Sequence, residues 1–164
     1  MPKFIRQGNN TLVGNNTFTG TNTFTGSLVA SGGVTGTVTG GVVRPVAAQA
    51  TGTKSVSAAE SGTVFVNTQG ASTTTFTLPS AAAGLTYTFV ESNASGEILI
   101  TPATGDAIVT KIHAAQDGTA LAPAAGTGIK NTAATNVAGD CITLVALDTT
   151  TWYGVGMTGL WASQ

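Results

Sequence analysis

Glycine recurs at every sixth position near the start of this chain, and the residues between the glycines repeat as well. Residues 9–14, 15–20 and 21–26 read NNTLVG, NNTFTG and TNTFTG. The glycines in this phase are Gly8, Gly14, Gly20, Gly26 and Gly32. A unit of six residues cannot bury its own apolar side chain, so each copy must stack on others of its kind. The repeat therefore predicts a fibre or a self-assembling shaft and argues against an enzyme.

One apolar residue occupies the same phase of each unit: Leu12, Phe18 and Phe24. Polar and apolar residues alternate around both phenylalanines, as in half-buried strands, and each glycine supplies a corner. A single-chain β-helix needs roughly 18 residues per coil, so these few hexads would complete fewer than two coils. We therefore favour three chains wound about one axis. Three layers of Leu12, Phe18 and Phe24 would contribute roughly 13–27 kcal/mol before chain entropy is subtracted.

Charge and cysteine content limit the partners of the chain. Only 8% of the residues are charged, and none lies between Arg6 and Arg44, so we expect partner chains to cover much of that stretch. The net charge of −1 gives no electrostatic footprint for nucleic acid or an anionic membrane. The longest apolar run, residues 142–147, is interrupted by Thr143 and is too short to span a bilayer. Cys141 is the single cysteine, which excludes an intrachain disulfide framework.

The first residues of the chain have the composition of a docking peptide. Lys3 and Arg6 flank the apolar pair Phe4 and Ile5. No apolar stretch follows them, so a secretory signal is not expected. In a chain this poor in charge, we interpret residues 1–8 as a docking arm rather than as a disordered terminus.

Composition divides the chain into an arm of residues 1–8, a hexad-repeat shaft of residues 9–45 and a β-domain of residues 46–164. Turn residues separate short alternating segments in the last part, and no window has the spacing of a long helix. The predicted strands are residues 63–67, 74–78, 85–91, 97–101, 107–113, 141–147 and 151–155. We expect an all-β protein: a trimeric β-helical shaft followed by an antiparallel β-sandwich or jelly-roll-like domain. Residues 116–138 are predicted to form a long loop with one short strand around Ile129.

Candidate catalytic and cofactor residues are few. Residues 154–159 have the glycine spacing of a dinucleotide-binding turn, but that motif needs a following helix and only five residues remain. His113 is the single histidine, and a triad of His113 with Asp140 lacks a nucleophile in a strained turn. His113 and Cys141 are too few for a zinc site in one chain, although three copies of His113 could meet at a trimer axis. We expect no enzyme activity, no cofactor and no metal.

The two tryptophans lie near the C terminus. Trp152 is expected to pack in the core with the last strands. Trp161 has two interpretations, which the residues leave open: a core side chain, or an exposed aromatic platform for a sugar.

Both halves of the chain resemble parts of tailed-bacteriophage virion proteins. The units at residues 15–26 look like the short shaft repeats of phage fibres and head decorations. The C-terminal part is similar to a β-domain found in such proteins, through residues 76–79 (FTLP), 84–90 (GLTYTFV), 139–140, 144–145 and 151–153. The resemblance implies a homotrimer on the virion, with no cofactor and no reaction.

Length distinguishes between the roles that this resemblance implies. Tail fibres that reach host receptors are usually several times longer, whereas capsid decoration (cement) proteins and short head fibres are near 164 residues. A trimer also fits the threefold sites of an icosahedral shell. We expect a homotrimeric decoration protein on the capsid surface that binds the major capsid protein through residues 1–8 and the neighbouring repeats. The alternative is a short tail or head fibre, or spike, whose C-terminal domain binds a host-surface glycan. A bacterial surface adhesin is disfavoured because a secretory signal is missing.

Overall fold

Strands dominate the part of the chain that the structure describes. The computed structural model describes residues 44–50, 52–110, 126–132 and 134–164, and the single residue Thr19. All but Thr19 belong to one compact unit, Gly41–Gln164. The strands are β1 Val46–Gln49, β2 Thr53–Ser55, β3 Val64–Asn67, β4 Thr73–Thr77, β5 Thr86–Glu91, β6 Glu97–Thr101, β7 Ala107–Val109, β8 Ile129–Asn131, β9 Cys141–Ala146, β10 Thr151–Thr158 and β11 Trp161–Ser163.

The predicted all-β class is confirmed for these residues. The one helical element described is a single 3-10 turn, Ala58–Glu60. None of the described residues belongs to a helix long and apolar enough to cross a membrane. The abundance of threonine and glycine explains this result, because β-branched and small residues favour strands and tight turns over helices.

The strands form two sheets, and the chain from β1 to β6 winds back and forth between them in successive coils. Sheet A has the order β1-β3-β5-β9-β10-β7, and sheet B has the order β11-β8-β6-β4-β2. From β1 to β6, consecutive strands alternate between the sheets, so neighbours within a sheet are two strands apart in the chain and run parallel. Val64 pairs with Thr88, and Thr73 pairs with Glu97, so both steps advance by 24 residues. Residues 46–101 therefore wind as three coils, each with one strand in each sheet.

The later strands are mainly antiparallel, and they complete both sheets. In sheet A, β9 runs antiparallel to β5 and β10, while β7 runs parallel to β10. In sheet B, β8 runs antiparallel to β6 and β11. The prediction of an antiparallel domain is therefore wrong, because both sheets are mixed. Alternation along a strand identifies its two faces but not its neighbour. Parallel neighbours need a crossover, and here that crossover is a strand of the opposite sheet.

The core lies between the two sheets. Phe65 and Phe89 of sheet A face Phe76 of sheet B, with ring centroids 5.7 Å and 4.9 Å from that of Phe76. Tyr87 packs on Trp152 at 5.5 Å. These five side chains are at most 1% exposed. Each such burial contributes about 1.5–3 kcal/mol, and each aromatic pair adds about 0.5–1.5 kcal/mol. Every second residue of β3 and β4 enters this layer, which is why the alternation predicted both strands.

Candidate functional site

Most residues predicted to carry function lie outside the described residues. They are the docking-arm residues Lys3, Phe4, Ile5 and Arg6 and the shaft residues Leu12, Phe18 and Phe24. His113 also lies outside them. The roles assigned to these residues therefore stay predictions.

Trp161 is fully buried, so its interpretation as an exposed aromatic is wrong. It opens β11 at the edge of sheet B and pairs with Asn131. Its indole Nε1 donates a 2.9 Å hydrogen bond to the carbonyl of Thr158. The prediction that Trp152 packs in the core is confirmed. The short connection from β10 to β11 moves the chain from one sheet to the other, and this crossing brings the Trp161 ring into the core.

The glycine-rich residues 154–159 form a strand and a turn. Gly154 and Gly156 lie in β10, whose register against β9 shifts between them. This bulge leaves Val155 with 61% of its surface exposed. Gly159 follows the strand with φ +84°. The spacing that resembled a dinucleotide motif thus arises from a β-bulge and a turn.

A buried polar network lies at one end of the core. Asn67 of β3 and Glu91 of β5 are paired and fully buried, and Asn67 Nδ2 donates to Glu91 Oε2 at 2.8 Å. The Thr74 hydroxyl of sheet B donates to Asn67 Oδ1 at 2.7 Å. The Asn93 backbone amide donates to Glu91 Oε1 at 3.2 Å. These bonds offset the cost, several kcal/mol, of taking a carboxylate out of water.

A second buried carboxylate, Asp140, is adjacent to this network. Its carbonyl accepts a hydrogen bond from the Glu91 amide at 2.8 Å, and its Oδ2 accepts from Asn131 Nδ2 at 2.9 Å and from the Val137 amide at 3.0 Å. Asn131 Oδ1 and Asn136 Oδ1 are buried without a hydrogen-bond partner among the described residues. The same residues contain no group of three His, Cys, Asp or Glu placed to hold a metal ion. Because backbone and amide donors already engage this carboxylate, we interpret it as structural.

An ion pair holds the 3-10 turn against the sheets. Lys54 Nζ lies 2.7 Å from Glu60 Oε1, and the amide of Ser57 donates to Glu60 Oε2 at 2.8 Å. The hydrogen bond from Lys54, aided by those from Ser57, outweighs partial burial and lowers the pKa of Glu60. Tyr87 donates its hydroxyl to the Ser57 carbonyl at 3.0 Å, and burial, with the nearby Glu60 charge, raises its pKa. Together these contacts fix the connection from β2 to β3.

The outward side of sheet A is rich in valine, and we call it the apolar face. Strand register places the following apolar residues on it: Val46, Ala48, Val64, Val66, Val90, Ala107, Val109, Cys141, Val145 and Tyr153. Its other side chains are the threonines Thr86, Thr88, Thr143, Thr151 and Thr158. Val46 is 70% exposed and Val109 37% exposed. None of the described strand residues on this face is charged.

The outward side of sheet B is polar. Its strands present Thr53, Ser55, Thr73, Thr75, Thr77, Glu97, Leu99, Thr101, Lys130 and Ala162. Among the described residues, no exposed large apolar side chain lies there, because Val137 and Leu147, the two outside sheet A, belong to loops. A surface of hydroxyl groups suits water. On the outward side of sheet A, Val64, Val66, Val90 and Val145 are half-buried, whereas Val46 and Val109 on the two edge strands are exposed.

The side chain of Arg44 contacts the apolar face. It lies just before β1, and its Nε donates to the Gly62 carbonyl at 2.9 Å. Its guanidinium also donates to the Thr88 hydroxyl at 3.0 Å. The Thr88 hydroxyl is in turn 3.0 Å from that of Thr143. Since both threonines belong to the apolar face, the Arg44 guanidinium places a positive charge on that face.

The sequence patterns alone did not reveal this difference between the faces. The signal is valine at the outward positions of β3, Val64 and Val66, against threonine at those of β4, Thr73 and Thr75. It becomes informative only when the strands that share a sheet are known.

Comparison with known proteins identifies no family: no protein-family model and no curated protein matches this sequence.

Proposed function

We propose that this chain is a homotrimeric capsid decoration (cement) protein of a tailed phage, with no catalytic role. The hexad repeat carries the proposal. Leu12, Phe18 and Phe24 need copies of themselves from other chains to become buried, and they lie in a stretch without charge between Arg6 and Arg44. In this proposal residues 9–45 form a trimeric β-helical shaft, and the resemblance of its units to phage shaft repeats indicates the kind of particle.

The C-terminal unit supports a mechanical role. Its two buried carboxylates, Glu91 and Asp140, accept hydrogen bonds that tie strands and loops together. Residues 1–8 and the neighbouring repeats grip the major capsid protein, and the C-terminal units project outward. A docking contact of roughly 1,000 Å² or more between capsomers raises the free energy needed to separate them under genome pressure.

A short fibre that binds a host glycan is the second candidate. The burial of Trp161 removes the exposed aromatic that this function predicted. One observation still favours it, because the hydroxyls of Thr73, Thr75 and Thr77 line the outward side of sheet B near Glu97. Polar groups arranged in this way can hydrogen-bond to sugar hydroxyls.

Sedimentation of the purified chain, alone and with capsids that lack it, tests the proposal. We expect a trimer that co-sediments with the shells and raises their disruption temperature. Lys3→Ala with Arg6→Ala should weaken shell binding without changing the mass, whereas Lys130→Ala, on sheet B, should leave binding intact. A trimer that ignores shells but adheres to host cells would favour the fibre, and a monomer would contradict both functions.

A further inference from the structure

We infer that a calcium ion binds at the polar end of the core, to the carboxylate of Asp140 and the side-chain oxygens of Asn131 and Asn136. All three residues are at most 5% exposed. Asn131 Oδ1 and Asn136 Oδ1 are buried without a hydrogen-bond partner among the described residues. A buried oxygen without a partner is costly, so a folded protein supplies it with a donor or a cation. The inference goes beyond the proposed function and does not depend on the trimer.

The hydrogen bonds of the two amides establish which of their atoms is the oxygen. Asn131 Nδ2 donates to Asp140 Oδ2 at 2.9 Å and to the Leu160 carbonyl at 3.1 Å. Asn136 Nδ2 donates to the Gly96 carbonyl. Rotating either amide by half a turn would place its oxygen against these acceptors. Both atoms without a partner are therefore carbonyl oxygens, which accept a hydrogen bond or bind a metal ion.

One oxygen of Asp140 brings the two asparagines together. Asp140 Oδ2 accepts from the Asn131 side chain and, at 3.0 Å, from the backbone amide of Val137, the residue after Asn136. The Asn136 amide donates to the Thr132 carbonyl at 2.9 Å, next to Asn131. The hydrogen bonds described for this carboxylate end on Oδ2, which leaves Oδ1 for the ion.

The charge of this region favours a cation over a buried water. The Glu91 amide donates to the Asp140 carbonyl at 2.8 Å, so two buried carboxylates occupy neighbouring positions. Among the described residues, no basic side chain contacts either carboxylate: Arg44 binds Gly62 and Thr88, Lys54 binds Glu60, and Lys130 lies on the outward side of sheet B. A water would satisfy the amide oxygens and leave the charge unpaired, whereas a cation does both.

The ligand atoms and their burial select calcium. Carboxylate and amide oxygens are the ligands of Ca²⁺ and Mg²⁺, but Mg²⁺ usually keeps several waters, which so buried a site does not accommodate. Na⁺ would neutralise only one of the two charges. The expectation of no metal considered His113 and Cys141 as donors. The described residues hold no group of three His, Cys, Asp or Glu, and this site needs none, because two of its three side-chain ligands are amides.

Thermal unfolding of the full chain with and without calcium tests the inference. The chain is unfolded in urea and refolded in EGTA, because a buried site releases its ion only when the surrounding structure opens. An excess of Ca²⁺ should then raise the unfolding midpoint by about 5 °C or more. Elemental analysis of the washed protein should find one calcium ion per chain. Mg²⁺ and Na⁺ at the same concentration should raise the midpoint far less.

Three variants locate the ion. Asp140→Asn keeps an oxygen for the Asn131 and Val137 donors and removes the charge, so it should abolish the response to Ca²⁺ and be at least as stable as the wild type in EGTA. Asn136→Leu removes one ligand and should weaken calcium binding at least about tenfold. Val137→Ala is the matched control, because its side chain is 57% exposed and its backbone amide is retained. It should respond to Ca²⁺ as the wild type does.

The outcomes that contradict the inference differ from those that contradict the proposed function. A wild-type midpoint that calcium leaves unchanged overturns the inference and assigns the amide oxygens to a buried water. An equal rise in the Asp140→Asn variant places the ion elsewhere and also overturns it, as does an equal response to Mg²⁺. Each of these results leaves the trimer standing, because the trimer is tested by the mass of the chain in solution.

Discussion

The side-chain amide of Asn67 donates a 2.8 Å hydrogen bond to the carboxylate of Glu91, and both residues are fully buried at paired positions of parallel strands. The same amide accepts a 2.7 Å hydrogen bond from Thr74 in the opposite sheet. One side chain thus links two successive coils and both sheets. A buried amide in this position specifies the register of the coils, because a slip by one residue would leave the carboxylate without its donor.

Asn67→Leu should lower the free energy of unfolding by about 2–4 kcal/mol, because the Glu91 carboxylate loses a donor and the Thr74 hydroxyl loses an acceptor. Urea titration measures the change. Asn67→Leu combined with Glu91→Leu should recover part of the loss, since no buried charge remains. The exposed neighbour Thr68 serves as the control, and Thr68→Ala should change stability by less than about 0.5 kcal/mol. Equal losses at residues 67 and 68 would contradict the role of the pair.

Gly159→Ala should destabilise the unit by about 2–4 kcal/mol. Its φ of +84° disfavours any residue with a Cβ, and that atom would collide with the carboxylate of Asp140. Gly156 gives a matched control three residues earlier, because a Cβ there meets no atom within 4 Å. Gly156→Ala should therefore change the midpoint of thermal unfolding little. Similar midpoints for the two variants would show that Asp140 moves aside without cost.

Stability should depend on the charge of Glu60. Its pKa is lowered from 4.5, chiefly by the hydrogen bond from Lys54, so the folded state binds this proton less readily than the unfolded state. The stabilisation is complete above the unfolded pKa and is lost as the pH falls through the lowered folded value. The pair is 28% and 31% exposed, which limits its contribution to about 1 kcal/mol. Glu60→Gln should lower the free energy of unfolding at pH 7 by up to that amount, and by progressively less as the pH falls below the unfolded pKa of 4.5. A difference that persists at low pH would indicate lost packing instead.

If the proposed trimer forms, Phe18→Ser combined with Phe24→Ser should convert it into a monomer, because the proposed hexad core would lose two of its three apolar layers. Analytical ultracentrifugation gives the mass. Thr17→Ser with Thr23→Ser changes the same hexads at the alternate phase and should leave a trimer. If the mass of the phenylalanine variant stayed unchanged, the axial-core hypothesis would be wrong.

Strands with strong alternation were predicted well. Glu97–Thr101 was predicted to the residue, and Thr86–Glu91 and Cys141–Ala146 to within one residue at one end. The missed strands β1, β2 and β11 have only three or four residues. All three lie at a sheet edge and contain at most one buried residue, so their alternation between buried and exposed positions is weak. Each becomes a strand because a neighbouring strand supplies the pairing, as β3 does for β1.

By itself, the sequence determined the all-β class and the inward side of the central strands. It also predicts that the hexads need partner chains. These features are local, because alternation depends only on residues two apart and a six-residue repeat on its own copies. Only the tertiary structure decided that the first strands pair in parallel, that Trp161 enters the core and that valines gather on the outward side of sheet A. Those features depend on how the connections carry the chain between the sheets. Val64 and Thr88, for example, are 24 positions apart and become neighbours through strand pairing. No local sequence pattern encodes that pairing.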